Sequence, residues 1–269
     1  MLTPRTAAEL LERHGIRPSK ALGQHFVVDP NTVRRIARLA GVGPGDKVVE
    51  VGAGLGSLTL ALAETGATVT TVEADRHLLP VLDEVLAGTG VEVVAGDALA
   101  LDWPALLGEG SWSLVANLPY NVATPLVLDL LHGARAITSM LVMVQREAGE
   151  RLAAAPGSSA YGIPSVRLAY WATAEVVGRV SPHVFLPPPR VESVLVRVVR
   201  RAAPAVAADP DRLFTLVRAG FGQRRKMLRR SLAGLVDPDD FAAAGVRSED
   251  RAEDLGIADW GRLAEAAER

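Results

Sequence analysis

Cysteine is absent from the 269 residues. Disulfides, thiolate zinc sites and cysteine nucleophiles are thereby excluded, and a reducing compartment suits the chain. Aromatic residues make up only 4%, so the core that a 49% hydrophobic content allows must be filled by Ala, Val and Leu. No apolar run approaches the roughly 18 residues of a membrane span. Met1 leads into Arg5, Glu9, Glu12 and Arg13 rather than into an apolar signal core. The expectation is a cytoplasmic protein with no membrane partner, and monomeric by default. His14, His77, His132 and His183 show no metal-ligand spacing, so no metal is expected.

What charge there is lies unevenly. Residues 1–47 hold eight Lys/Arg against four Asp/Glu, and residues 48–178 hold five against fourteen. Residues 179–230 hold twelve against three, and residues 231–269 hold four against ten. An acidic middle between two basic segments suits an enzyme core with nucleic-acid contacts at its margins.

Apolar periodicity orders the chain. Val33, Ile36, Ala37 and Leu39 recur at helical spacing after Asp29-Pro30-Asn31, with a stop at Gly41-Val42-Gly43-Pro44-Gly45. Strands are expected at Lys47–Val51, Thr68–Glu73, Val91–Ala95, Trp112–Ala116 and Ile137–Val144. Helices are expected between them at Ser57–Ala63, Leu78–Leu86 and Pro125–Leu131. Such β-α alternation with continuous apolar strands predicts a doubly wound, mostly parallel α/β sheet. Beyond Gln145 the spacing predicts a helix over Arg146–Ala155 and strands over Val166–Val180 and Val191–Arg200, around the stiff Pro187-Pro188-Pro189. Ala202–Pro210 has linker composition, and everything from Asp211 onward reads helical. A boundary near residue 205 is expected, giving domains 1–205 and 206–269.

Asn117-Leu118-Pro119-Tyr120 closes the fourth expected strand. Pro119 offers no N–H and holds Leu118 extended, which leaves a polar amide at the strand's carboxyl end, where open α/β sheets bind ligands. The Asn117 side-chain carbonyl and the Leu118 backbone carbonyl can each accept one hydrogen of an exocyclic amino group. Tyr120 offers a stacking face. Taken alone, the four residues suit an ordinary strand-end turn equally well.

Gly52, Gly54 and Gly56 stand between strand and helix, where backbone must approach a ligand. Glu73 ends the next strand, placed to take two ribose hydroxyls, and Asp97 ends the third, placed to accept from an adenine amino group. Either carboxylate alone also suits a cap or a solvated surface. At successive strand ends they describe a pocket for an adenosine-containing ligand. NAD meets the same three features, but Gly54-Leu55-Gly56 is tighter than G-x-G-x-x-G, and an oxidoreductase has no use for the amino-group clamp. S-adenosylmethionine does, as donor in methyl transfer to a base nitrogen.

Six segments carry a family resemblance in order: Leu22-Gly23-Gln24-His25-Phe26, Val49 to Gly56, Asn117 to Asn121, Tyr161 to Val166, Phe185 to Ser193 and Phe221 to Lys226. With these the chain resembles the bacterial small-subunit rRNA adenine-N6,N6-dimethyltransferases over nearly its full length. The resemblance implies a Rossmann-like, class I S-adenosylmethionine-dependent methyltransferase with a smaller helical C-terminal domain. It assigns Gly52 and Gly54 to the cofactor's methionine part, Glu73 to its ribose and Asp97 to its adenine. His25, Val27 and Asn117 complete that pocket. The family more often has asparagine at the position of His25 and proline at that of Ala53; imidazole can replace an amide as donor or acceptor, and His25 also reads as a structural histidine. Phe185 resembles a second aromatic wall opposite Tyr120, or else an ordinary core phenylalanine.

For chemistry, Asn117 and Leu118 would draw both amino hydrogens of a flipped adenine and localise the N6 lone pair, with Pro119 and Tyr120 shaping the site. Asn117 cannot act as a base, so the proton is expected to leave to water. Arg224, Arg225, Lys226, Arg229 and Arg230 put five cations into eight residues, read as a helix with Met227 and Leu228 facing the core. A solvated basic face is the plain meaning of such a run; beside a base clamp it reads as an rRNA contact. The expected substrate is a pair of adjacent adenosines near the 3′ end of 16S rRNA, in a small ribosomal subunit. The competing readings are a macrolide-resistance-type 23S rRNA methyltransferase and a non-catalytic RNA-binding assembly or transcription factor. A DNA adenine methyltransferase is less favoured, for want of a target-recognition domain.

Overall fold

The computed structural model describes residues 1–19 and 22–267. The chain divides into two compact units, Met1–Gly149 with Glu175–Val199, and Glu150–Ala174 with Arg200–Arg269. In chain order the elements up to residue 200 begin with α1 (Pro4–Arg13), β1 (Phe26–Val27), α2 (Pro30–Ala40), β2 (Lys47–Val51), α3 (Ser57–Ala63) and β3 (Thr68–Glu73). They continue with α4 (Leu79–Val85), β4 (Glu92–Ala95), α5 (Trp103–Leu107), β5 (Trp112–Asn117), α6 (Ala123–Gly133) and β6 (Ile137–Gln145). Next come α7 (Arg146–Leu152), α8 (Ile163–Trp171), β7 (Ala172–Val180), β8 (Phe185–Leu186) and β9 (Ser193–Arg200).

Seven strands form one sheet in the order β4-β3-β2-β5-β6-β9-β7. Pairings β2–β3, β3–β4, β2–β5 and β5–β6 are parallel, and β9 runs antiparallel to β6. The chain winds outward from β2 to β4, then crosses to β5 on the other side of β2. That reversal opens a crevice at the carboxyl ends of β2 and β5, beside Val51 and Asn117. Local chemistry sets the boundaries. Asp29 Oδ2 accepts from Thr32 N at 2.9 Å, Pro30 occupies the first turn of α2, and Gly41 ends it at φ +68°. Val33, Ile36 and Ala37 are the buried face of that helix.

The second unit adds α9 (Pro210–Gly222), α10 (Leu228–Ser231), α11 (Pro238–Ala244) and α12 (Ile257–Ala266). Its core holds Tyr161, Tyr170, Leu213, Leu216, Val217 and a fully buried Trp260. A Cβ on Gly220 would come within 2.8 Å of the Trp260 ring, so α9 needs glycine there. Among the described residues, no helix is long and apolar enough to cross a membrane.

Three expectations are corrected. Val166–Val180 is not one strand: α8 takes Ile163–Trp171, and β7 starts only at Ala172. Pro164 fits a helix first turn, and Ser165 Oγ accepts from Gly162 N at 3.1 Å to cap it. The cut near residue 205 assigned Glu150–Ala174 to the first domain, whereas this segment clusters with the second unit. Tyr161 OH donates to Leu255 O at 2.9 Å and Tyr170 OH to Ala208 O at 3.0 Å, both deep in that core. Finally, Gln223–Lys226 is a turn, not helix. Gly220 and Gly222 weaken the helix before it, and a continued helix would pair Arg225 with Arg229 and Lys226 with Arg230 at like-charge spacing. Leu228 is buried as expected, but Met227 is 41% exposed.

Candidate active site

One pocket at the crevice gathers residues from five strand ends and from the segment before β1. The β2–α3 turn forms its floor. Gly52 and Gly54 adopt φ +78° and +59°, a region that side chains disfavour. A Cβ on Gly54 would sit 2.9 Å from the Phe26 ring, and one on Gly52 would project toward Asn117 O and Pro119 at 3.7–3.8 Å. The turn is therefore a cradle that a methyl group would fill.

Glu73, at the end of β3, ties this turn down. Its Oε2 accepts from Gly54 N at 2.8 Å and its Oε1 from Asp75 N at 2.9 Å, which leaves lone pairs for a ligand's hydroxyls. Burial pushes its carboxyl above the usual carboxylate range. Asp97 follows β4. Its Oδ1 accepts from Leu99 N at 2.9 Å, and its Oδ2 makes no hydrogen bond among the described residues.

Asn117 ends β5 with its amide orientation fixed. Nδ2 donates to the His25 backbone oxygen at 3.0 Å, so Oδ1 is left as an acceptor with no partner among the described residues. Leu118 N donates to Met143 O at 3.1 Å, anchoring the residue whose carbonyl lies next along the turn. Tyr120 bonds Ser193 Oγ through its hydroxyl at 2.8 Å, and burial lifts its phenol above the ordinary value, so it stays neutral. Its ring stacks with His25, centroids 5.6 Å apart. His25, Val27, Gly52, Gly54, Glu73, Asp97, Asn117, Leu118, Pro119 and Tyr120 thus share one pocket.

Phe185 does not join them. It is 3% exposed, pairs opposite Val27 across β1–β8, and packs among Val33, Ile36 and Leu195. The expected second aromatic wall is core; an aromatic beside three prolines gave no sign of which way it faced. Arg224, Arg225, Lys226, Arg229 and Arg230 all lie in the second unit. There Arg224 is held by Glu253 at 2.6 Å and donates to Ser159 O, and Arg229 pairs with Glu249 at 3.1 Å. Arg225, Lys226 and Arg230 are exposed and make no side-chain contact of this kind.

Two pocket features went unread in the sequence. Gln24 Nε2 donates to Asp75 Oδ2 at 2.7 Å, fastening the segment before β1 to the end of β3. Glu50 is 1% exposed within β2, its Oε2 accepting from Thr59 Oγ1 at 2.5 Å and Thr71 Oγ1 at 2.8 Å. Burial pushes its carboxyl up to about 7. The one available sign was a carboxylate inside an apolar strand. With Glu73, Asp75 and Asp97 it makes four acidic residues around the pocket, and among the described residues no Lys or Arg lines it. Such a field favours a cationic ligand and opposes a pyrophosphate.

A model of the ribosomal RNA adenine dimethylase family matches residues 16–269. Ribosomal RNA small subunit methyltransferase A of Kineococcus radiotolerans is 49% identical over 274 residues, covering 98% of this chain and 91% of its own length. The protein of that name from Thermobifida fusca is 47% identical, with 98% and 96% covered. Among solved structures, the 23S rRNA methyltransferase ErmE superposes with a TM-score of 0.72 at 26% identity, covering 91% of this chain and all of that one. A dimethyladenosine transferase from Plasmodium falciparum reaches 0.77 at 23% identity, covering 89% and 96%, which speaks for the fold. With a match that omits only the first fifteen residues, and relatives nearly half identical from end to end, the chain belongs to the ribosomal RNA adenine dimethylase family.

Proposed function

We propose that this chain dimethylates N6 of two adjacent adenosines near the 3′ end of 16S rRNA, acting as a cytoplasmic monomer on the small ribosomal subunit. As a family member it is a methyltransferase that uses S-adenosylmethionine. That cofactor supplies, when bound, an electrophilic methyl group on a sulfonium. The observation that carries the reading is the fixed amide of Asn117, whose Nδ2 is spent on His25 O and whose Oδ1 faces no protein donor. A sulfonium with an α-ammonium is a cation, and four acidic side chains with no basic one among the described lining residues suit it better than they suit NAD.

In this reading Gly52 and Gly54 take the methionine part, Glu73 the ribose and Asp97 the adenine, while His25 and Val27 close the pocket. Asn117 Oδ1 and Leu118 O accept the amino hydrogens of the target adenine, Pro119 holds the turn extended, and Tyr120 supports the base by stacking. After one transfer a single N–H remains, so one of the two carbonyls must tolerate a methyl group.

Tritiated-methyl transfer tests the assignment. Small subunits from a strain lacking this methylation should accept label at two adjacent adenosines, mapped by primer extension, while naked rRNA and large subunits should not. Labelling of 23S rRNA instead would favour the second reading, which the likeness to ErmE supports. Light scattering at a mass other than 28.4 kDa would remove the monomer.

The exposed cations of the 223–230 segment are assigned to rRNA phosphates, and the contacts of Arg224 and Arg229 divide that set. Replacing Arg225, Lys226 and Arg230 with alanine is expected to weaken rRNA binding at least tenfold at moderate salt. The slope of log K against log salt should fall by about 0.7–0.9 per lost contact. Filter binding would measure both, with cofactor affinity unchanged by calorimetry. Arg224→Ala should instead lower thermal stability, because it frees Glu253 and Ser159 O.

A further inference from the structure

His25 touches the Asn117–Tyr120 turn at two points and the chain after β8 at a third. Its backbone oxygen accepts from Asn117 Nδ2, its ring lies against Tyr120 with planes 26° apart, and its Nδ1 is 2.7 Å from the carbonyl oxygen of Pro187. A carbonyl oxygen only accepts, so Nδ1 carries the hydrogen and the neutral imidazole keeps its lone pair on Nε2. Among the described residues Nε2 has no hydrogen-bond partner, yet it is not among the sealed polar atoms that lack one. It is an open acceptor in a residue that lines the pocket.

The stacking geometry places that acceptor. Near-parallel rings in contact at about 3.5–4 Å, with centroids 5.6 Å apart, must be displaced sideways by roughly 4 Å. Imidazole therefore sits beside the centre of Tyr120, not over it. A purine stacked on the same face of Tyr120 would meet the His25 ring edge to edge.

We propose that Nε2 of His25 is the base that takes the proton released when the target nitrogen is methylated, in place of the water expected from the sequence. The step rests on the methyltransferase reading above. The N6 lone pair forms the new N–C bond, the C–S bond breaks with its electron pair on sulfur, and the nitrogen is left cationic. One of its hydrogens leaves the carbonyl that had accepted it, Asn117 Oδ1 or Leu118 O, for Nε2, and His25 becomes an imidazolium that stays bonded to Pro187 O through Nδ1. The proton passes to water when the product leaves. The same transfer serves the second methylation, in which the last N6 hydrogen departs. The ionisable groups that line the pocket with His25 are Tyr120 after β5, Glu73 ending β3 and Asp75 beyond it, Asp97 after β4 and Glu50 on β2, while the neutral Pro187 carbonyl follows β8.

Single-turnover methylation of undermethylated small subunits by wild type, His25→Asn and His25→Ala across pH tests this, with ¹⁵N NMR of the cofactor-free protein as a second readout. The wild-type rate should fall on acidification with one protonation, and both variants should lose that limb. His25→Ala should lose about a hundredfold at neutral pH, the low end of general-base effects because the methylated nitrogen is already acidic. Added imidazole should return at least tenfold. His25→Asn, which can still donate to Pro187 O, should keep thermal stability and cofactor affinity. NMR should find the hydrogen on Nδ1, and the Nε2 resonance should move when adenosine is added. Unchanged pH profiles without imidazole rescue, or a hydrogen found on Nε2, would overturn the role of His25 alone. A wild type inactive on small subunits would overturn the assigned reaction as well.

Discussion

Replacing Asn117 with alanine is expected to slow single-turnover methyl transfer about a thousandfold, while rRNA affinity stays within about twofold. The size follows from what is lost. One preorganised carbonyl aimed at the reacting amino group is worth what one oxyanion-hole donor is worth, about 3–4 kcal/mol of barrier. The side chain is pinned by a single bond to His25 O, so the fold loses only about 1 kcal/mol. Asn117→Asp is the sharper control. It keeps an acceptor oxygen but sets a carboxylate against the His25 carbonyl that Nδ2 now satisfies, so it too should be slow. Quench-flow kinetics and filter binding on the same preparations separate the two effects. Near-normal turnover in Asn117→Ala would remove the clamp.

Glu50 should make stability depend on pH in an unusual direction. Its folded carboxyl holds its proton up to about 7, against 4.5 for an ordinary glutamate. Between those values the folded chain binds more proton than the unfolded chain, so stability falls as pH rises through the window. Below pH 4.5 the cost is absent, and above 7 it is fully present, at most about 3 kcal/mol at 1.36 kcal/mol per pKa unit. Glu50→Gln keeps a carbonyl for the Thr59 and Thr71 hydroxyls and removes the buried charge. The variant should therefore be more stable than the parent at pH 8, by up to that amount, and little different at pH 5, in urea melts without cofactor. Its affinity for S-adenosylmethionine should drop at least tenfold at pH 8, since an anion facing a cationic ligand is gone. A variant less stable at pH 8 would mean that Glu50 is ionised and well solvated in the folded chain.

How far the residues alone led depends on how local each cause was. Strands β2, β3 and the helix α3 were legible to the residue, because glycines bracket β2 and α3 and β3 is a run of Val and Thr that Gly66 precedes. The pocket residues of the glycine turn, Glu73, Asp97 and the Asn117 turn were legible because each ends a strand. Glu50 was not, since its meaning lies in Thr59 and Thr71 on the neighbouring elements. Segment 150–174 needed partners about forty to ninety residues away, Ala208 and Leu255, before its tyrosines explained where it packs. Phe185 carried a local pattern shared by core and site, and only the pairing of Val27 with Phe185 decided between them. The basic run gave its charge truthfully but not its shape, nor the carboxylates that occupy Arg224 and Arg229.

A crystal structure with S-adenosylhomocysteine and adenosine bound probes the central claim most directly. The expected density places the adenosine N6 at hydrogen-bond distance, about 3 Å, from both Asn117 Oδ1 and Leu118 O, with the cofactor product across the Gly52–Gly54 turn. An N6 directed away from residue 117, or a nucleoside seated elsewhere while the glycine turn holds a different ligand, would contradict it.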